Sequence, residues 1–300
     1  MNILISGGSG FIGSALTRSL LKEGHNVWVL TRNPARTRLP AGAQSVRWDG
    51  RTNQGWIGVF SQMNAVVNLA GESVGKWPWT DRRKKLIRDS RVDAGLAIAD
   101  AFQKVDKRPA VLIQASGVGY YGQCGKETVA EDSPAGNDFM ATVAYNWESS
   151  TRIVDSLGVR RVIIRSSLVL NARQGVLPLI ALPVRFWAGG PLGNGEQGVS
   201  WIHIDDEVRA IRYVLENDKA RGAFNLSAPN PIPNADFVRS LAKALYRPYW
   251  MPAPAFLLRM ILGEMSTLLL DGQFVIPQRL VNLGFVFHYE TAQEAFRDLF

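Results

Sequence analysis

The stretch that decides the fold opens the chain and reads Ile3-Leu4-Ile5-Ser6-Gly7-Gly8-Ser9-Gly10-Phe11-Ile12-Gly13. An apolar run precedes glycines in the spacing G-x-x-G-x-x-G, and an amphipathic helical pattern follows them. A strand, a glycine turn and a helix in this order are typical of the first unit of a dinucleotide-binding sheet. A glycine turn with a purely structural role is the alternative interpretation.

Each of the three spaced glycines has a physical role in such a loop. Gly7 permits a tight turn, Gly10 lets backbone amides approach a pyrophosphate, and Gly13 lets the helix pack closely on the strand. The free N–H groups at the start of the helix attract an anion. We therefore predict cofactor contacts from Gly7, Gly10, Phe11, Ile12 and Gly13.

The first 165 residues alternate short, continuous apolar runs with helical patterns. The predicted strands are residues 2–6, 26–31, 65–69, 110–116 and 161–165, with a weaker one at 44–48, and the predicted helices are residues 11–23, 81–103 and 141–157. Continuous apolar runs are typical of strands that are buried on both faces. The pattern predicts an α/β fold with a doubly wound parallel sheet, the Rossmann fold.

The alternation changes after Arg165, where the chain becomes mostly helical and rich in proline. One more strand is predicted at Gly222–Leu226, after a helix at residues 205–216. We predict an NADP-binding Rossmann domain of residues 1–170 and 200–228. Residues 171–199 and 229–300 are predicted to form a smaller, mostly helical C-terminal lobe that holds the substrate.

The end of the second predicted strand indicates which dinucleotide binds. An NAD site usually carries an acidic residue there, which holds the ribose 2′-hydroxyl. Here the strand ends in Leu30-Thr31-Arg32-Asn33-Pro34, and Arg32 stands where the acid would be. A guanidinium group suits a phosphate, so we predict NADP (NADPH) as the cofactor, with Thr31 and Arg32 in its site. Arg36 and Arg38 follow, and they could equally be surface side chains.

A second cofactor loop is predicted at Asn68-Leu69-Ala70-Gly71, which ends the strand at residues 65–69. Ligands of such sheets lie beyond the carboxyl ends of the strands. Small residues there let the backbone pass close to the adenosine ribose and the pyrophosphate, so we predict contacts from Leu69 and Ala70. A simple turn from strand to loop is the alternative.

The composition limits the partners. The net charge of +8 suggests an anionic partner, and half of it arises between Glu72 and Arg91, where a solvated helix face is the plainest interpretation. No nucleic-acid-binding motif is present, and Arg259 and Glu264 interrupt the most apolar stretch, so we expect no nucleic acid and no membrane as partners. The histidines lie far apart and Cys124 is the only cysteine, so we expect no metal site. With no basic leader, a cytoplasmic monomer or homodimer is expected.

Several of these motifs together carry a family resemblance. Residues 7–13, 68–71 and 116–122 and the strand end at Arg165 resemble the extended short-chain dehydrogenase/reductase superfamily, in its nucleotide-sugar epimerase and dehydratase group. Residues 90–92, 147–148, 189–193, 201–206 and 276–279 resemble, more narrowly, a poorly characterised epimerase-family branch whose C-terminal domain of unknown function covers roughly residues 249–297 here. The resemblance implies cofactor contacts from Arg91 and Val169. An ordinary surface charge is the alternative for Arg91, and simple packing is the alternative for the Val169 side chain.

The proton-transfer residues of that superfamily do not carry over. It uses a Tyr four residues before a Lys, with a nearby Ser or Thr, and the lysine lowers the pKa of the tyrosine. None of the seven tyrosines here has a lysine at that spacing. If Glu148 corresponds to the acidic residue that usually follows the motif, the resemblance places Met140 and Ala144 at the Tyr and Lys positions. Candidate substitutes are Ser116, Tyr120 and Tyr121, with packing in the pocket wall as the alternative for both tyrosines. His203 could also donate a proton, but a structural histidine is the favoured interpretation.

These observations predict an NADP-dependent oxidoreductase or epimerase-like enzyme that acts on an unidentified small molecule with a non-standard acid or base. The alternative is a non-catalytic NADP(H)-binding regulatory or sensor protein. The two differ in whether a bound nicotinamide changes its redox state in the presence of a metabolite.

Overall fold

A computed structural model describes all residues from 1 to 300. The strands are β1 (Asn2–Ser6), β2 (Asn26–Thr31), β3 (Gln44–Arg47), β4 (Ala65–Asn68), β5 (Val111–Gly117), β6 (Thr128–Val129), β7 (Arg160–Ser166), β8 (Leu168–Leu170), β9 (Gly198–Val199), β10 (Trp201–His203), β11 (Gly222–Leu226), β12 (Ile232–Pro233) and β13 (Phe274–Val275). The helices are α1 (Phe11–Lys22), α2 (Ile57–Phe60), α3 (Asp81–Lys104), α4 (Phe139–Ser149), α5 (Leu177–Arg185), α6 (Ile204–Glu216), α7 (Asn234–Ala244), α8 (Ala255–Leu262), α9 (Thr267–Leu270), α10 (Gln278–Asn282) and α11 (Ala292–Leu299). Three 3₁₀ segments cover Val118–Tyr121, Arg152–Leu157 and Gly263–Ser266.

Seven of these strands form one parallel sheet in the order β11-β7-β5-β4-β1-β2-β3. Two helix layers cover it, which explains why the strands are continuous apolar runs. Ile3 and Ile5 face the core that contains α1 and α6, whereas Leu4 between them faces the core that contains α3. The chain crosses from one side of β1 to the other between β3 and β4. The predicted doubly wound α/β fold is confirmed.

The fourth helix ends earlier than the sequence pattern predicts. Residues 141–157 were expected to form one helix, but α4 stops at Ser149 and a 3₁₀ segment follows. The hydroxyl of Ser150 donates to the carbonyl of Trp147 at 2.6 Å, and Thr151 Oγ1 lies 3.4 Å from the carbonyl of Glu148. Such hydroxyls compete with the backbone for helical hydrogen bonds, which disfavours continuation of the helix.

The C-terminal region is helical, and its helices share a third hydrophobic cluster with Leu170 of β8 and Trp201 of β10. Its buried members include Leu177 and Val184 from α5, Phe237 from α7 and Phe296 from α11. The division of the chain into residues 1–170 with 200–228 and residues 171–199 with 229–300 stays a prediction. None of the helices is both long and apolar enough to cross a bilayer.

Candidate cofactor site and its buried ion pair

The glycine loop between β1 and α1 is built from close approaches. Gly7 has a φ of +72°, and a Cβ there would lie 2.7 Å from the carbonyl oxygen of Leu69. A Cβ at Gly13 would lie 2.2 Å from the carbonyl oxygen of Gly7, so both positions exclude any larger residue. A Cβ at Gly10 would meet only that same oxygen, at 3.2 Å, and otherwise faces open space. The loop therefore leaves room for a ligand beside Gly10.

The start of α1 has the properties of an anion site. Gly10 is its N-cap residue, no side chain caps the helix, and its first turn contains no acidic residue. Phe11 and Ile12, both half-buried, form that first turn. Free backbone N–H groups and the helix dipole attract a negatively charged group at such an end.

The second predicted loop lies directly against the first, because Gly7 packs on Leu69 and Ala70.

Below the loops, a fully buried chain of side-chain hydrogen bonds joins three neighbouring strands. Ser6 Oγ donates to Asn68 Oδ1 at 2.5 Å, and Asn68 Nδ2 donates to Gln114 Oε1 at 2.9 Å. These bonds fix the carboxyl edges of β1, β4 and β5 relative to one another, so the surface that they present is rigid.

The arginines after β2 are exposed and have no acidic partner. Arg32, Arg36 and Arg38 form no ion pair. Arg47, the last residue of β3, lies opposite Thr31 on the neighbouring strand and forms no ion pair either. Thr31 is buried, and its hydroxyl lies 2.6 Å from that of Thr37, which closes the turn between them. Unpaired guanidinium groups at the carboxyl edge of β2 are available to a phosphate.

Arg91 lies beneath the second loop and is not an ordinary surface charge. Its Nη1 donates to the carbonyls of Glu72 and Ile87 at 2.9 and 2.8 Å, and its guanidinium stacks on the Trp147 ring at 4.9 Å. A Cβ at Gly71 would lie 3.1 Å from the guanidinium carbon. Burial lowers the pKa of Arg91 to about 10, so it stays charged at neutral pH. Its Nε and Nη2 donate to no protein atom.

The basic start of α3 is less solvated than the sequence suggests. Arg82 is exposed, but Arg83 pairs with Glu72 at 3.0 Å and Lys84 pairs with Glu264 at 2.7 Å. The interpretation as a solvated face is therefore wrong for these two side chains, because acidic partners from other segments fold against them.

A buried ion pair occupies the carboxyl edge of the sheet, beside β5 and β7. Arg165 donates to both carboxylate oxygens of Glu148, at 2.8 and 3.0 Å. Ser116, at the end of β5, donates to the same carboxylate at 2.7 Å. Burial opposes the charge of Arg165, but the bonds to Glu148 raise its pKa above the ordinary value. Ser116 is thus held in one orientation by a buried anion.

The two candidate tyrosines pack on this pair in different ways. The Tyr120 ring stacks on the Arg165 guanidinium at 3.5 Å, and its hydroxyl bonds to no protein group. The Tyr121 hydroxyl accepts from Arg165 at 3.0 Å and donates to Asn225 at 2.6 Å. Burial raises the pKa of Tyr121, although Arg165 acts in the opposite direction. The geometry therefore favours a structural role for Tyr121 and leaves Tyr120 and Ser116 as candidate proton donors.

Two further predicted residues are buried near this edge. Val169 lies in β8, which pairs with β10. His203 caps α6, accepting from the amide of Asp205 at 3.2 Å, and burial lowers its pKa. This geometry supports the structural interpretation of His203.

Neither Glu148 nor Glu207 is among the residues predicted for the site, although residues 147–148 contribute to the family resemblance. For Glu148 the available signal was an acidic residue inside an otherwise apolar helical pattern, since acidic side chains are almost never fully buried without a partner. Glu207, on α6, is fully buried, and its Oε1 accepts from Ser166 Oγ at 2.6 Å. Its Oε2 has no protein partner, and burial raises its pKa to about 8.

Glu207 predicts a pH dependence opposite to that of most acidic residues. The folded chain keeps a proton on Glu207 that the unfolded chain releases above its ordinary pKa of 4.5. Stability is therefore full below that pKa and is lost as the pH rises through 8. We expect the free energy of unfolding to fall by about 2–4 kcal/mol between about pH 5 and pH 8 through this group.

Urea denaturation at several pH values measures this fall. Glu207→Gln should remove it, whereas Glu290→Gln, at an exposed carboxylate, should leave it unchanged. Equal pH profiles for the unaltered chain and Glu207→Gln would show that Glu207 is ionised in the folded state. Because the contribution of His203 is present in both proteins, it cancels in the comparison.

Comparison with known proteins agrees with this architecture. The sequence pattern of the NAD dependent epimerase/dehydratase family matches residues 3–227. The chain belongs to that family. A domain of unknown function (DUF1731) matches residues 253–299 and confirms the predicted C-terminal domain of the epimerase-family branch.

Related proteins of the epimerase/dehydratase family align with almost the whole length of this chain. Epimerase family protein YfhF of Bacillus subtilis is 38% identical over 303 residues, covering 100% of this chain and 98% of its own. A chloroplastic SDR39U1 homologue of Arabidopsis thaliana is 36% identical, covering 99% of this chain and 86% of its own. The crystal structure of human epimerase family protein SDR39U1 (isoform 2) with NADPH has a TM-score of 0.87 and 30% identity, covering 100% of this chain and 99% of that one.

Proposed function

We propose that this epimerase-family chain binds NADP(H) in preference to NAD(H). The unpaired Arg32 at the end of β2 and the uncapped start of α1 support the proposal. In this proposal, Gly7, Gly10, Phe11, Ile12 and Gly13 surround the pyrophosphate, and Thr31 and Arg32 lie beside the 2′-phosphate. Leu69, Ala70, Arg91 and Val169 complete the contacts. The human relative with NADPH adds support from a second protein.

Arg32→Ala should remove most of this preference. A hydrogen bond to a charged group contributes about 1.5–3 kcal/mol, and about 1.4 kcal/mol is tenfold in affinity. We expect NADPH affinity to fall about tenfold or more while NADH affinity stays nearly constant. Fluorescence titration of both reduced nucleotides measures this. Arg18→Ala, at another exposed arginine, is the control, and equal losses for both nucleotides would contradict the role of Arg32.

We propose further that the chain is an oxidoreductase or epimerase-like enzyme on a small molecule. The cofactor would supply or accept a hydride when bound. The observation that carries this proposal is the Ser116 hydroxyl, held by the buried Glu148 at the edge where the sheet would meet the nicotinamide. In this proposal Met140 and Ala144, on α4, take the positions of the family's Tyr and Lys. Ser116 or Tyr120 would then move the proton.

A screen of metabolite extracts tests this activity by following nicotinamide absorbance. An enzyme should change the absorbance with at least one fraction, and Tyr120→Phe or Ser116→Ala should slow that reaction without weakening NADPH binding. We expect little turnover of common UDP- or GDP-sugars, because general acid–base catalysis supplies about 10²–10⁴ in rate and the usual pair is missing. NADPH binding without turnover in any fraction would favour the sensor alternative.

A further inference from the structure

A group of large apolar side chains lies exposed on the C-terminal region. It comprises Phe186, Trp187, Tyr246, Trp250, Met251, Phe256, Met260 and Ile261, here named the apolar face. Phe256 and Met260 are 67% and 72% exposed, and none of the residues of α8 is buried. Exposed apolar patches rimmed by polar groups mark docking surfaces in folded proteins.

The residues of the apolar face come from two segments that are distant in the sequence and adjacent in the fold. Gly189 pairs with Tyr249 and Leu192 pairs with Ala253, so the two segments run side by side. Trp250 Nε1 donates to the carbonyl of Trp187 at 2.7 Å. The second segment leads directly into α8, which begins at Ala255. Fold topology, rather than a run in the sequence, therefore assembles this surface.

The charge of the same segments has one sign. Residues 172–195 and 237–263 contain no aspartate and no glutamate. Their basic residues are Arg173, Arg185, Arg239, Lys243, Arg247 and Arg259. Asp236, just outside, pairs with Arg239, and the Arg247 guanidinium stacks on the Trp187 ring at 5.0 Å. Aromatic, aliphatic and basic side chains thus occur together in these segments, and the bordering acids Glu196, Asp236 and Glu264 are each paired with a basic side chain.

We propose that the apolar face docks on the surface of an anionic phospholipid bilayer. Trp, Tyr and Phe suit the interface between headgroups and acyl chains, and basic side chains add attraction to anionic lipid. Peripheral binding needs no spanning helix, so it agrees with the helix lengths seen here. The sequence predicts no membrane partner because no long apolar run is present. Docking through this surface does not require such a run.

The charge and the side chains disfavour other occupants. A second copy of the chain would bring the same positive charge to the contact. Single-stranded nucleic acid needs aromatic platforms in a basic groove, whereas Met260, Ile261 and Leu257 on α8 are aliphatic. The proposal is independent of the cofactor site and of any turnover.

Vesicle flotation of the full chain tests the proposal. We expect binding to vesicles of phosphatidylcholine with about 30% phosphatidylglycerol. Binding to phosphatidylcholine alone should be at least about 25-fold weaker, since each basic group near the surface contributes about fivefold and at least two take part. The double change Phe256→Asp and Met260→Asp should lower binding by more than about tenfold. The matched control is Val286→Asp, at a residue of similar exposure (68%) outside both segments.

Other outcomes would overturn the proposal. One is that the unaltered chain does not bind to the anionic vesicles. Another is that Val286→Asp loses as much vesicle binding as the double variant does. Dimerisation in sedimentation that Phe256→Asp abolishes would assign the face to a second copy. Binding of single-stranded DNA that the same change abolishes, without vesicle binding, would assign it to nucleic acid. Circular dichroism of each variant separates loss of binding from loss of folding.

Discussion

Gly10→Val should abolish cofactor binding while the chain stays folded. Gly10 has extended backbone angles (φ −75°, ψ −178°) that valine adopts readily, and its Cβ would need to displace only the Gly7 carbonyl by a few tenths of an ångström. The added methyl groups would occupy the open space beside the start of α1. Loss of two charge-assisted amide bonds to a pyrophosphate, at about 1.5–3 kcal/mol each, predicts at least about 100-fold weaker NADPH binding.

Two further glycine variants separate ligand contact from folding. Gly58→Val makes the same chemical change at an exposed glycine with open space around it, and should leave NADPH affinity unchanged. Gly13→Ala would force its Cβ against the Gly7 carbonyl and should disturb the loop itself. Calorimetry gives the affinities and circular dichroism gives the folded fraction. Retained affinity in Gly10→Val would mean that the cofactor binds elsewhere.

Arg165→Met should lower the free energy of unfolding by about 3–5 kcal/mol, because it leaves the buried carboxylate of Glu148 without its cation. The change also removes the donor to the Tyr121 hydroxyl and the cation under the Tyr120 ring. Urea denaturation measures the loss. The pair is buried on both sides, so solvent screens it little.

Two comparisons establish the cause of that loss. Combining Arg165→Met with Glu148→Gln should recover part of the stability, because the unpaired charge is removed. Arg239→Met breaks an exposed pair with Asp236 and should change stability by at most about 1 kcal/mol. If Arg165→Met were as mild as Arg239→Met, the Glu148 carboxylate would have another source of stabilisation.

Most of the sheet could be predicted from the sequence because its central strands are buried on both faces. Each of these strands then appears as a short, continuous apolar run, as at Ile3-Leu4-Ile5, whereas the edge strand β3 is mostly exposed and its pattern is weaker. The glycine loop could also be predicted, since Gly7 and Gly13 lie where a Cβ would meet backbone. The end of α4 was predicted too late, because the competing hydroxyls of Ser150 and Thr151 carry no periodic signal.

The chemistry of the edge could not be predicted in the same way. Glu148 lies on α4, and only the folded chain shows that Ser116 of β5 and Arg165 of β7 both donate to its carboxylate. The burial of Tyr121, which sets it apart from Tyr120, depends on Asn225 from β11. Glu207 lies beside two other acidic residues in the first turn of α6, so the sequence there does not indicate that Glu207 is buried. These features depend on contacts between distant segments, which local sequence patterns do not indicate.

The central claim is that the unpaired arginine after β2 makes this a site for NADP(H). Parallel calorimetric titrations of the unaltered chain with NADPH and NADH test it most directly. A single charge-assisted contact to the 2′-phosphate predicts that NADPH binds at least about tenfold more tightly than NADH. Equal affinities for the two nucleotides, or tighter binding of NADH, would contradict the claim.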